Sequence, residues 1–187
     1  MEKNIYLAGV GGQGIQVAGK TMAQAAFLKG YRTTYSPRYE AAKRGGLTSC
    51  YVTVSEDEIG NPRKELQDIL VVMEPKAYER FSDDVKHNGI LLVNSSLIHN
   101  THGPSEGIRR IDAPLYDICV KYGNTKIISS VVLGVLAAVM TDIFPDPDTI
   151  LAVMLDKLKG KESLAKLNKN AYADGLQMGR ELLGSGQ

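Results

Sequence analysis

Gly9-Val10-Gly11-Gly12-Gln13-Gly14 constrains this chain more than any other stretch. The apolar run Ile5 to Ala8 leads into it, and Ile15, Ala18, Met22, Ala25 and Ala26 follow at helical spacing, so the segment reads as strand, turn and helix. Gly9, Gly11 and Gly14 have the GxGxxG spacing, which permits a tight turn, lets the backbone approach a phosphate and leaves N–H groups free at a helix N-terminus. A dinucleotide site also needs an acid about 20 residues further on to hold the ribose hydroxyls. No Asp or Glu occurs between Glu2 and Glu40. Three readings stay open: a dinucleotide, another phosphate-bearing ligand touching Gly9, Gly11, Gly12, Gln13 and Gly14, and glycines that serve only the turn.

Short apolar runs alternate with helical patterns along most of the chain, as α/β layering requires. Arg32 to Tyr35 is the second candidate strand, and Leu47 to Ser55 alternates along its length. The continuous runs 69–73 and 90–93 read as central strands covered on both faces. Helices are expected from Ile15 to Lys29-Gly30, from Glu74-Pro75 to Phe81 and from Ala113 to about Tyr122, with a short strand at Ile108 to Ile111. Beyond Lys126 the pattern is helical: Ile128 to Met140, Ile150 to Leu158 after an Asp146-Pro147-Asp148 start, and Ser163 to about Leu183. The expected architecture is a three-layer α/β/α fold with a Rossmann-like, mostly parallel sheet and a helical C-terminal third. It reads as one domain over residues 1–187, since no repeat or linker divides the chain.

The segment Ser36 to Gly46 concentrates Arg38, Lys43 and Arg44 with Glu40, Tyr39 and two glycines. If the first two strands are parallel neighbours, this segment leaves the same sheet edge as the glycine turn. Lys43-Arg44-Gly45 has the form of a helix's basic last turn and cap. Arg44 with the Gly45-Gly46 backbone also offers a forked donor and N–H groups to a carboxylate or phosphate, from a ligand or a partner subunit. The two readings are compatible.

Twenty-two basic and 21 acidic residues leave a net charge of +1, too little to hold a nucleic-acid backbone or an anionic membrane globally. The longest uncharged run, Ile127 to Thr141, is 15 residues, short of the ~20 needed to span a bilayer, so it is expected to be a buried helix. Only Cys50 and Cys119 are present, which excludes a disulfide framework and a four-cysteine iron–sulfur site within the chain and suits the cytoplasm. His99 and His102 lie in a polar stretch without a third metal ligand nearby, and no serine stands in a GxSxG elbow. No catalytic residue and no metal site are expected.

Several of these segments together resemble a known family. Gly9-x-Gly11-Gly12-Gln13-Gly14, Tyr39-Glu40, Arg44-Gly45-Gly46, Ile59 with Pro62 and the Val71-to-Pro75 run resemble the gamma subunit of 2-oxoacid:ferredoxin oxidoreductases. Ser129 to Met140 with Gly134, then Asn168, Ala171 and Gly175, extend the resemblance through the C-terminal third. It implies a complex in which thiamine diphosphate with magnesium, on other subunits, attacks a 2-oxoacid. Electrons then pass through iron–sulfur clusters to ferredoxin, and coenzyme A takes the acyl group. This chain would bind none of those cofactors alone, apart from a coenzyme A or phosphate contact at Gly9 to Gly14. It would join alpha, beta and delta-type subunits through Tyr39, Glu40, Arg44, Gly45 and Gly46, and be inactive when isolated. Tyr39-Glu40-Ala41-Ala42 departs from the commoner pattern before the RGG, which leaves the 2-oxoacid open. The alternative is a stand-alone Rossmann-type protein that binds a nucleotide or coenzyme A.

Overall fold

The computed structural model describes residues 1–40, 46–99, 103 and 105–184. Six strands form one sheet in the order β2-β3-β1-β4-β5-β6: β1 Glu2–Val10, β2 Arg32–Tyr39, β3 Leu47–Ser55, β4 Gln67–Val72, β5 Val85–Asn94 and β6 Arg109–Ala113. β1, β4, β5 and β6 pair in parallel, and β3 pairs antiparallel with both β1 and β2. A single strand, β3, therefore runs against the rest, so the sheet is mostly parallel as expected.

One expectation needs correction. β1 and β2 are not neighbours: β3 lies between them, with Gly9 opposite Thr48 on one side and Tyr39 opposite Thr48 on the other. The β2–β3 hairpin inserts its returning strand beside β1. β2 still runs parallel to β1 across it, so Tyr39 and Val10 end at the same sheet edge.

The helices are α1 Ile15–Leu28, α2 Pro75–Phe81, α3 Leu115–Lys121, α4 Ile128–Val139, α5 Asp148–Asp156 and α6 Glu162–Gly184. Alternation along β1 sends Ile5 and Leu7 into a core shared with α1 and α3 to α6, and Tyr6 and Ala8 into a thinner core shared with α2. β4 is apolar on both faces because both are covered, with Ile69 and Val71 on the thick side and Leu70 and Val72 on the thin one. Burial of this kind contributes about 25 cal/mol per Å² of apolar surface removed from water.

The uncharged run beyond Lys126 is the buried α4, and among the described residues no helix is long and apolar enough to cross a membrane. α4 and α6 approach backbone to backbone. A Cβ on Gly134 would collide with the Tyr172 carbonyl, and one on Gly175 would collide with that of Val131. Ser130 and Asn168 are hydrogen-bonded between the two helices at 2.6 Å, where both are buried. α5 begins at Asp148 with Pro147 as its cap, and the Asp146 carboxylate accepts the Asp148 N–H at 3.0 Å.

Candidate functional site

β1 ends at the glycine turn, where Gly9, Gly12 and Gly14 each have a physical reason for lacking a side chain. Gly12 and Gly14 have φ of 91° and 69°, in the left-handed region that a side chain disfavours. Gly14 has a second reason, because a Cβ there would stand 2.7 Å from the Cβ of Ser129 at the start of α4. Gly11 is exposed with open space above it, whereas Gly9 is buried against Met73 and the side chain of Gln13. Gln13 is only 4% exposed, so the expected set divides into Gly11, Gly12 and Gly14 facing outward and Gly9 and Gln13 facing inward.

No side chain caps α1, and its first backbone bond runs from the Ala18 N–H to the Gly14 carbonyl. The N–H groups of Ile15, Gln16 and Val17 therefore have no acceptor among the described residues and carry the positive end of the helix dipole. The Gln16 side chain anchors this helix start to the sheet. Its amide donates to the Thr48 hydroxyl at 2.7 Å and to the Ser49 carbonyl at 2.9 Å, while its oxygen accepts the Tyr35 phenol at 2.7 Å. Burial, with Cys50 and Tyr39 nearby, pushes the Tyr35 phenol up to about 12, so it is neutral and a donor at physiological pH.

The turn, the ends of β2 and β3 and the start of α4 enclose a cleft of about 530 Å³. Gly11, Gly12 and Gly14 line one wall, and Tyr39, Glu40 and Gly46 line the other. The two segments singled out in the sequence thus meet across one opening. Arg44 and Gly45, expected beside them, lie outside the described residues, as does His102. Glu40 donates its N–H to the Leu47 carbonyl at 2.9 Å and pairs its carboxylate with Arg80 of α2. Tyr39 is 71% exposed and Val17 53%, which leaves an apolar lip at the mouth.

Lys126 and Ser129 are among the lining residues that had not been singled out as candidates. Lys126 sits in a single 3-10 turn, Thr125–Ile127, held by the Asn124 side chain accepting its N–H at 2.9 Å. Its exposed side chain has no ion pair among the described residues. Ser129 lies one helical turn beyond. Among the described residues the cleft therefore offers unpaired N–H groups, the Lys126 ammonium, the Thr48 and Ser129 hydroxyls and an apolar lip. That set has the chemistry to receive an anionic group attached to something larger.

Among the described residues the cleft contains no nucleophile paired with a base. Both cysteines are buried away from it, and burial alone raises Cys50 to about 12 and Cys119 to about 11. Among the described residues no three His, Cys, Asp or Glu side chains converge to hold a metal, and His99 is exposed. A cluster or a metal diphosphate does not fit the described residues.

The family profile of pyruvate ferredoxin/flavodoxin oxidoreductase matches residues 4–178. This chain belongs to that family. The 2-oxoglutarate synthase subunit KorC of Methanocaldococcus jannaschii is 30% identical over 184 residues, covering 97% of this chain and 96% of the relative. The ketoisovalerate oxidoreductase subunit VorA of Methanothermobacter thermautotrophicus is 32% identical over 181 residues, but this chain spans only 37% of that protein's length. Among solved structures, the gamma subunit of the keto/oxoacid ferredoxin oxidoreductase of Geobacter sulfurreducens superposes with a TM-score of 0.79 at 25% identity, covering 98% of both chains. The 2-oxoglutarate:ferredoxin oxidoreductase of Magnetococcus marinus, solved with 2-oxoglutarate, coenzyme A and succinyl-CoA bound, matches at TM-score 0.86 and 23% identity. It covers 96% of this chain and 31% of that one, a likeness of fold. The α/β fold and the resemblance to gamma subunits are as expected from the sequence.

Proposed function

We propose that this chain is the gamma subunit of a 2-oxoacid:ferredoxin oxidoreductase and that its cleft receives a phosphate-bearing part of coenzyme A. The observation carrying this is the meeting of the glycine turn with Tyr39, Glu40 and Gly46 across one opening. Gly11, Gly12, Gly14 and Lys126 would hold the phosphate, and the lip at Tyr39 and Val17 would take the apolar part. Coenzyme A brings the thiol that accepts the acyl group. This chain's residues bind and orient it.

On this reading other subunits, of alpha, beta and delta type, hold thiamine diphosphate, magnesium and the iron–sulfur clusters and pass electrons to ferredoxin. Tyr39, Glu40, Arg44, Gly45 and Gly46 meet a partner, and the assembly works in the cytoplasm, where its two thiols stay reduced. The similarity to one relative matched almost end to end, and to others several times longer, supports a unit that serves either as a separate chain or within a larger one.

Affinity isolation of the native chain from its source should bring down the other subunits, and titration calorimetry should show coenzyme A binding. A monomer without partners that turns over no 2-oxoacid yet binds coenzyme A or a nucleotide would favour the stand-alone reading. Turnover of a 2-oxoacid by the partner-free chain would overturn the proposal.

A further inference from the structure

In an open α/β sheet the crevice for a ligand lies where successive connections leave to opposite faces. Here that point is between β1 and β4. The chain leaves β1 through α1 on the thick side and leaves β4 through α2 on the thin side. The crevice is already filled. Gln13 reaches back into it, its oxygen accepting the Val10 N–H at 2.9 Å. Its amide nitrogen donates to the Met73 carbonyl at 3.3 Å and the Glu74 carboxylate at 3.1 Å. The Tyr116 phenol lies against the same amide.

Gly9, the first glycine of the motif, has its own explanation in this arrangement. A Cβ on Gly9 would strike the Gln13 oxygen and stand 3.0 Å from the Cβ of Met73. The absent side chain makes room for Gln13, whereas in a dinucleotide fold the first glycine serves the tight turn and the second lets the pyrophosphate approach. The Glu74 carboxylate, paired to that amide, adds a negative charge where an anion would have to enter.

We propose that Gln13 is the specificity-determining residue of this turn: an internal plug, guarded by Glu74, that bars a pyrophosphate-bridged dinucleotide from the β1–β4 crevice. A phosphate group is thereby confined to the outer wall at Gly11, Gly12 and Lys126. The inference rests on reading the cleft as a phosphate site and adds what that site refuses. Opening the crevice leaves the Val10 N–H free to meet a ligand, while the Met73 carbonyl keeps a donor, because the Asn94 amide also reaches it at 3.2 Å.

The test is titration calorimetry of the full chain with NAD and, separately, with coenzyme A. The combined variant Gln13→Ala with Glu74→Gln is expected to bind NAD at least tenfold more tightly than the wild-type chain, with coenzyme A affinity changed less than threefold. In amide NMR spectra Val10 should shift on NAD addition in that variant and stay still in the wild type. Gln13→Met keeps the volume and loses the hydrogen bonds, so it should still refuse NAD. A wild-type chain that binds NAD as tightly as the variant, a folded variant that gains nothing, or a methionine variant that admits NAD would each overturn the proposal. If the alanine variant does not fold, Gln13→Ser with Glu74→Gln, whose hydroxyl can still reach the turn, is judged by the same criterion. Failure of coenzyme A to bind the wild type would overturn the proposed function and leave the NAD comparison standing.

Discussion

Gly14 at the start of α1 rests directly on Ser129 at the start of α4, with room for no Cβ between them. Gly14→Ala meets both that contact and a φ of 69°. Overpacking and left-handed backbone each cost about 1–2 kcal/mol, so the variant should lose roughly 2–4 kcal/mol in urea unfolding. Gly60→Ala, with open space around it and no positive φ, should lie within about 0.5 kcal/mol of wild type. Equal stabilities for the two variants would contradict the buttress.

Lys126→Ala should weaken coenzyme A binding about tenfold, which corresponds to about 1.4 kcal/mol for one charge-assisted contact. The side chain is exposed and without an ion pair among the described residues, so the melting temperature should stay put. Affinity measured against salt should fall less steeply for the variant than for wild type. An unchanged affinity removes Lys126 from the site.

Cys50 and Cys119 should be inert to a thiol reagent in the native state and both react in denaturant, because each is buried with its thiol raised in pKa. The sign of the pH dependence follows. An acid whose folded pKa lies above its unfolded value of 9.0 favours the unfolded chain once that chain ionises. Stability from these groups is intact below about pH 9 and declines as pH rises toward 11 to 12. A fast-reacting native thiol at neutral pH would contradict the burial.

The sequence made some of this legible and not the rest, for identifiable reasons. Runs such as Ile69 to Met73 and Ile90 to Val93 announced strands covered on both faces, because no polar alternation remains when both sides are dry. That β3 would slip between β1 and β2 was hidden. Alternation in Leu47 to Ser55 shows which residues share a face but not which strand lies beside them. The glycine turn was recognisable from spacing, while the inward turn of Gln13 was not, since its partners Met73 and Glu74 belong to another strand end. Lys126 carried no motif. Its only signal was the Asn124 cap ahead of the apolar α4, which marks a helix start and nothing about what that start faces.

Arg44→Ala should leave the melting temperature of the isolated chain nearly unchanged, within about 0.5 kcal/mol in stability, and weaken subunit assembly by about 2–5 kcal/mol. Arg44→Lys should rescue only in part, because an ammonium cannot make a forked contact. The exposed pair of Glu40 with Arg80 is a built-in control, since such pairs are worth about 0–1 kcal/mol and its loss should barely register in stability. Unfolding of the free subunit by Arg44→Ala would assign the residue to local structure, and intact assembly would remove it from the interface.

The close contact of α4 with α6 also sets an order of manufacture. Ser129 backs the glycine turn from α4, and α4 is seated against α6 through Gly134 and Gly175. At roughly 5–20 residues per second, a ribosome needs on the order of ten seconds or more to go from the turn to the end of α6. The turn is therefore fully backed only once α6, far downstream of it, has been made. A nascent chain stalled before α6 would carry its cleft-facing glycines against an α4 wall that nothing yet holds in place.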